Sequence, residues 1–343
     1  MPSQRLTIEK SANYSFYTDL LWCCVPLVAL SCYYYGLRPA LLMAAAQLTA
    51  YVCDCVAAPL HGGNYRSHEP SSAYFAAMVV LMLPASASYA IVVAAVVIAV
   101  VVKEAFGGEG HYPFHPSAVA LMTVGISWPN TVFRYPAQGV TLPLFGSMES
   151  IALSAGVNAT LRSGGLPSAS TINLLIGNVA APVGTNLILV LLACAAFLVL
   201  RKRLHLSVLV PYLAACVLIP WLWPQLNELP AFSLPWEFVR QRVYLEKYVL
   251  LSGTTLFGGI LLSCEPVTAP DRTASRVIYG LMLGIMTTVF RFYGSVEVGF
   301  CFALILVQAI PEWLDRLSRR AERMRFMRKE AERLAKQQKK PRG

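Results

Sequence analysis

Ionisable side chains are scarce in this sequence, and three carboxylates stand where apolar segments end or pause: Asp54, Glu69 and Glu265. A carboxylate near hydrocarbon binds a hard cation or takes up a proton, according to how far its surroundings move its pKa. These three residues are therefore candidates for an ion path. The plainer alternatives are two interfacial acids in water, Glu69 and Glu265, and a local ion pair for Asp54. Lys103 follows a wholly apolar run and either snorkels to headgroups or meets a phosphate. His115, beside Pro116, has the chemistry of a proton shuttle near neutral pH, or it caps a helix start. Arg276 and Arg291 read as interface anchors. Other chemistries find no support. Gly107-Gly108-x-Gly110 lacks the preceding strand of a dinucleotide fold, and Cys53-Asp54-Cys55 has no second pair to complete a metal site. No Ser/His/Asp nucleophile is recognisable, so the chain alone is expected to be inactive.

The elements that must position these residues are membrane helices. Of 343 residues, 56% are hydrophobic and 13% charged, too little polar surface for a soluble globule of this size. The N-terminus shows no signal-peptide cleavage pattern, so the first helix is expected to stay in place. Apolar runs lie near residues 20–35, 39–58, 71–83, 89–102, 116–128, 183–200, 206–222, 248–264, 276–290 and 296–310. The expected fold is all-α, a polytopic membrane protein of about ten transmembrane helices, with a membrane domain over 1–314 and a basic tail over 315–343. Runs 71–83 and 116–128 are too short to cross ~30 Å of hydrocarbon. Both open on proline beside serine, which predicts broken or half-inserted helices. Their ends put backbone N–H groups at membrane depth, where protein or a polar cavity must satisfy them. A polar chamber for a ligand or cation is the expectation. The echo between Glu69-Pro-Ser-Ser-Ala and Glu265-Pro-Val-Thr-Ala predicts one shared vestibule.

The nine cysteines sit within or at the edges of apolar runs, which argues against a disulfide framework. Twelve basic and four acidic residues between Asp315 and Arg342 carry eight of the ten net positive charges. Beside a last membrane helix such a tail reads as a cytoplasmic anchor on anionic lipid. It does not read as a nucleic-acid site, because no aromatic residues interleave usefully with the charges. With an even number of spans both termini are cytoplasmic. Arg66, Lys103, Arg201-Lys202-Arg203, Arg272 and Arg276 then fall inside, and 129–182 becomes a long extracytoplasmic loop.

Several motifs in one order carry a resemblance. The stretch from residue 251 onward keeps Ser252, Gly253, Pro266, Val267, Thr268, Pro270, Arg276, Gly280, Phe302 and Ala303, with Glu265 opening the Glu-Pro-Val-Thr-x-Pro turn. Upstream, "VVKEAFGGEGHYPFHPSAVAL" keeps Lys103, Phe106, Gly107, Gly108, Gly110, Phe114 and Pro116, and "HEPSSAYFAAMVVLMLPAS" is matched by Glu69, Ser71, Leu83 and Pro84. "IGNVAAPVG" keeps Gly177, Asn178 and Gly184. Together these resemble the D subunit of the Rnf electron-transport complex, a family shared with the B subunit of the sodium-translocating NADH:quinone oxidoreductase. Glu265 stands for that family's aspartate and His115 for its asparagine.

The resemblance implies a ten-helix subunit of a redox-driven Na⁺ or H⁺ pump in a prokaryotic inner membrane, working beside other membrane, flavin and iron–sulfur subunits. It also implies FMN, esterified to the threonine of a Ser-Gly-Ala-Thr motif in the extracytoplasmic loop. Here Ser163, Gly164 and Pro167 match, but Gly165 replaces alanine, Leu166 replaces the acceptor threonine, and Thr160 stands where an upstream aspartate belongs. Leucine has no oxygen to esterify, so covalent FMN is expected to be absent. A non-covalent FMN or riboflavin would lie near Ser163, Gly164, Gly177, Asn178, Gly184 and Lys103, where backbone approach and helix ends suit a phosphate. A solute or ion channel on the same scaffold, without electron transfer, is the alternative expectation.

Overall fold

The computed structural model describes residues 2–61, 70–108, 110–146, 148, 151–162, 169–222, 235–294 and 298–311, with 313–316, 318–320, 324 and 327 beyond them. Most of the basic tail, Glu69, and the stretch with Ser163, Gly164 and Leu166 lie outside the described residues.

Each of the ten apolar runs carries helix. The chain begins with α1 (Pro2–Tyr35), α2 (Arg38–Ala57), α3 (Pro70–Met82), α4 (Tyr89–Ala105) and α5 (Pro116–Ser127). The short α6 (Pro129–Val132) leads to a two-stranded antiparallel ladder of β1 (Arg134–Pro136) and β2 (Leu153–Ala155), with Tyr135 opposite Ser154. Then come α7 (Val157–Arg162), α8 (Thr171–Ile176), α9 (Ile188–Leu200), α10 (Leu206–Leu222), α11 (Pro235–Leu251), α12 (Thr255–Phe257), α13 (Thr273–Tyr293) and α14 (Gly299–Gln308). Among the described residues, three helices are long and apolar enough to cross a membrane unaided: 13–35 of α1, α2 and α13.

The short helices are where the sequence placed them. Helix α3 has 13 residues and α5 has 12, so each rises only about 20 Å. Eleven residues of α3 are buried, enclosed by α1, α2, α4 and α5, as an all-round apolar helix requires. Its last carbonyls are not left to lipid. The turn over 183–187 lies against them, with Val183 N–H donating to Leu83 O (3.0 Å) and Gly184 N–H to Leu81 O (2.8 Å). Glycine is needed at 184 because an added Cβ would fall 2.7 Å from Leu81 Cδ2 and 2.9 Å from its Cβ. The run read as one span over 183–200 is thus helical only from Ile188.

A second interruption was not legible as such. The run over 248–264 breaks at Ser252-Gly253-Thr254, where Gly253 takes φ +66°, and the halves 243–251 and 255–262 meet at 56°. The second half ends in a single π-helical turn, Gly258–Leu262. Helices α10 and α13 pack through Gly280 and Gly284, whose missing side chains admit the backbone of Val208 and Tyr212, the close approach that small residues four apart allow.

Candidate functional site

Two polar clusters form where α3 begins, and both are sealed. In the first, the turn after the π-helical segment presents Glu265, which has no exposed surface. Its Oε1 accepts from Tyr17 of α1 (2.7 Å) and from Tyr112 between α4 and α5 (2.6 Å), and the two hydroxyls are themselves 2.7 Å apart. Oε2 accepts from the Thr268 N–H (3.0 Å) and Oγ1 (2.8 Å). Beyond it Gln308 of α14 donates Nε2 to Thr268 Oγ1 and accepts the His115 N–H through Oε1, both at 2.8 Å. His115 Nε2 lies 3.3 Å from the Tyr74 hydroxyl, which donates to Leu261 O at 2.7 Å. The Glu265 turn lies outside the membrane-spanning helices. Burial pushes its carboxyl above the ordinary range, against the hydrogen bonds from Tyr112, Tyr17 and Thr268 that hold it down. His115 does cap α5, through its position rather than its side chain.

The second cluster joins α2, α3 and α4. Lys103 Nζ, fully buried, donates to Ser72 Oγ (2.6 Å) and lies 3.1 Å from Glu104 Oε1 and 3.6 Å from Asp54 Oδ1. Ser72 Oγ donates to Asp54 Oδ1 at 2.7 Å. Two carboxylates surround one ammonium, the ion pair weighed for Asp54, and the buried lysine does not snorkel. Nearby on the same end, Asp19 of α1 binds Arg201 at 2.9 Å and Arg203 at 2.8 Å.

At these two clusters the described side chains pack on one another. The physical reason is that the broken helix ends find protein partners: Lys103 and Asp54 at Ser72, Gln308 at His115, and segment 183–187 at the end of α3.

The opposite end is built on a buried cation. Arg291, near the end of α13, donates to the carbonyls of Tyr248 (2.9 Å), Val249 (2.8 Å) and Ser252 (3.3 Å), to Ser252 Oγ (2.5 Å) and to Thr255 Oγ1 (2.6 Å). It is a clamp across the break between α11 and α12, not an interface anchor. Arg276 remains near the surface, donating to Pro270 O. Beside the break is a small cleft lined by Tyr135, Asn158, Ala181, Pro182, Asn186 and Gly253, with about 10 Å³ open to water, room for roughly one molecule. Gly177 ends α8 at φ +91°, where a Cβ would meet Asn186 O at 2.8 Å, and Asn178 donates its N–H to Asn173 O.

The residues expected to hold a cofactor are therefore divided. Lys103 reaches Ser71 and Ser72 at the first turn of α3, whereas Gly184 rests on Leu81 at its last, about 15 Å along the helix. Gly177, Asn178 and Gly184 share the far end. FMN is the group that the resemblance implies; Gly177, Asn178, Gly184 and Lys103 do not line the small cleft, and Ser163 and Gly164 lie outside the described residues. Sequence reasoning missed Tyr17, Tyr112, Glu104 and Gln308. Thr268 had a local signal, an acid three residues ahead of a threonine, the spacing at which a side chain takes the N–H of a tight turn.

Interrupted helices around buried ionisable side chains define a polytopic α-helical membrane protein of the kind that handles ions or electrons within the bilayer. The comparison with known families makes this specific. The chain belongs to the NQR2, RnfD, RnfE family, whose model matches residues 8–323. It is similar to the D subunit of the ion-translocating oxidoreductase complex of Tolumonas auensis, 26% identical over 318 residues, covering 86% of this chain and 90% of the relative. The protein of the same name from Yersinia pseudotuberculosis serotype O:1b is 23% identical over 326 residues, covering 85% and 89%. That of Yersinia enterocolitica is 23% identical over 349 residues, covering 91% and 95%.

Proposed function

We infer that this chain is the D-type membrane subunit of an Rnf-type ion-translocating oxidoreductase complex. The observation that carries this reading is a family match over residues 8–323, supported by the buried acids Asp54, facing the start of the short helix α3, and Glu265, after the broken span. On this reading the protein sits in a prokaryotic inner membrane with both termini cytoplasmic, its basic tail on anionic lipid, and it works with membrane, flavin and iron–sulfur partners. Asp54, Glu69 and Glu265 are its ion-path residues.

The protein carries no covalently attached FMN, because Leu166 offers no acceptor oxygen. Any flavin is held without a bond, either at the end of the molecule that carries Gly177, Asn178 and Gly184, with Ser163 and Gly164 from the neighbouring loop, or at the other end against Lys103. Ultraviolet illumination of a denaturing gel tests the first point: no fluorescent band is expected, and one that disappears on mutating a loop hydroxyl overturns it. Inside-out vesicles test the function. Deleting the chain is expected to abolish the ion gradient built by electron transfer, whereas purified protein that passes solute in vesicles lacking an electron donor would establish a channel instead.

A further inference from the structure

We propose that Glu265 is held as a neutral carboxylic acid, closing a three-oxygen hydrogen-bonded ring with Tyr17 and Tyr112, and that this ring is a proton-binding site. The argument is a count of hydrogens. Glu265 Oε1 and the two phenolic oxygens form three edges of 2.7, 2.6 and 2.7 Å, each as short as a strong O–H···O bond. Two tyrosines supply two hydrogens. If Glu265 is ionised, one edge has no hydrogen, and two oxygens face one another lone pair to lone pair. One more proton, on Oε1, fills the third edge: Oε1 then donates to one tyrosine and accepts from the other, reversing one of the two contacts described above, and within the ring each oxygen donates once and accepts once. Oε2 needs no proton of its own, since it already accepts twice from Thr268.

The surroundings agree. The titratable groups that face Glu265 are Tyr17 from α1, Tyr74 from α3, Tyr112 and His115 from the connection into α5, Cys264 beside it, and Tyr279 from α13. None of these groups brings a positive charge. Burial keeps the His115 imidazole unprotonated, down at about 3. With the Tyr74 hydroxyl committed to Leu261 O, the His115 hydrogen must be on Nε2, which leaves Nδ1 a bare acceptor in a fully buried position. No lysine or arginine among the described residues forms an ion pair with Glu265, in contrast to Asp54. A sodium ion would hold these oxygens farther apart than direct hydrogen bonds allow. Binding the proton makes one O–H bond and changes no other covalent bond. That this proton takes part in coupling rests on the function proposed above; its presence on Glu265 does not.

Infrared difference spectroscopy on the full chain in lipid nanodiscs decides the matter. The wild-type protein minus Glu265→Gln at neutral pH is expected to show the C=O stretch of a protonated carboxyl, unchanged when choline replaces sodium. A carboxylate band in its place, or an acid band that vanishes on adding sodium, overturns the proposal. Should the glutamine variant fail to fold, Tyr17→Phe and Tyr112→Phe serve: each opens the ring and must shift the acid band, and no shift in either overturns it. An intact band in a complex that moves no protons would sink the coupling role alone.

Discussion

Both ends of the molecule bury an ionisable group at a broken helix, and they neutralise it by opposite means. At one end Glu265 is satisfied by side chains and one N–H gathered from α1, the connection into α5, and its own turn. At the other Arg291 is satisfied chiefly by backbone carbonyls and hydroxyls of residues 248–255, one local stretch. A guanidinium cannot lose its charge under physiological conditions, so its site must be fixed and permanently rich in acceptors. A carboxyl can change its proton count, and hydroxyl donors that can turn around tolerate both states. The arginine end is therefore built to hold a shape, and the glutamate end to hold a titratable proton.

The largest effect is expected from breaking the rigid end. Arg291→Ala strips donors from three buried carbonyls and frees the break at Gly253. Unfolding in mixed micelles should show a loss of about 3–5 kcal/mol, the scale for removing one partner from a buried charged network. Arg291→Lys should recover part of it, because one ammonium cannot reach all five acceptors. At the first end, Lys103→Met leaves Asp54 and Glu104 buried together and should cost about 3 kcal/mol. Adding Asp54→Asn should return some of that loss, a non-additivity measured by a double-mutant cycle. A strictly additive cycle would mean that Asp54 and Lys103 do not interact, against the 3.6 Å separation. Gly184→Ala, which drives a methyl into Leu81, should cost about 1–3 kcal/mol as an overpacking change.

The sequence made these ends unequally visible. The short helices α3 and α5 were legible because their apolar runs are simply too short, and proline at the first turn marks where they start. Asp54, Lys103 and Glu265 were legible as anomalies, charges in apolar surroundings. Their partners were not: Tyr17 and Glu265 are 248 residues apart, and Tyr112 and Glu265 153. No local pattern encodes which hydroxyl a distant carboxyl will meet. Arg291 looked like an anchor because its neighbours on α13 are ordinary, and only the bend in the preceding span turns it inward. The turn over 183–187 was absorbed into an apolar run for a related reason. Hydropathy registers that Val183 and Leu187 avoid water, not that the backbone between them is paired to another helix's carbonyls rather than to its own.

The smallest effect distinguishes most finely between the two ends. Tyr17→Phe or Tyr112→Phe removes one hydroxyl from the Glu265 ring and should cost about 1 kcal/mol, the net worth of a typical hydrogen bond. The two together should cost less than the sum, because a ring opened once has lost its closure. The pH dependence gives the sign. Glu265 has a folded pKa above its unfolded value, so its contribution to stability is complete below the unfolded pKa and is lost as pH rises through the folded one. Wild-type stability should therefore fall with rising pH across a window that starts at the ordinary carboxylate range. In Glu265→Gln, which cannot ionise, that slope should be gone, while Arg291→Lys should keep it. If the slope survives in Glu265→Gln, some other buried acid carries it, and Asp54, whose carboxylate is paired with Lys103, is the next residue to neutralise.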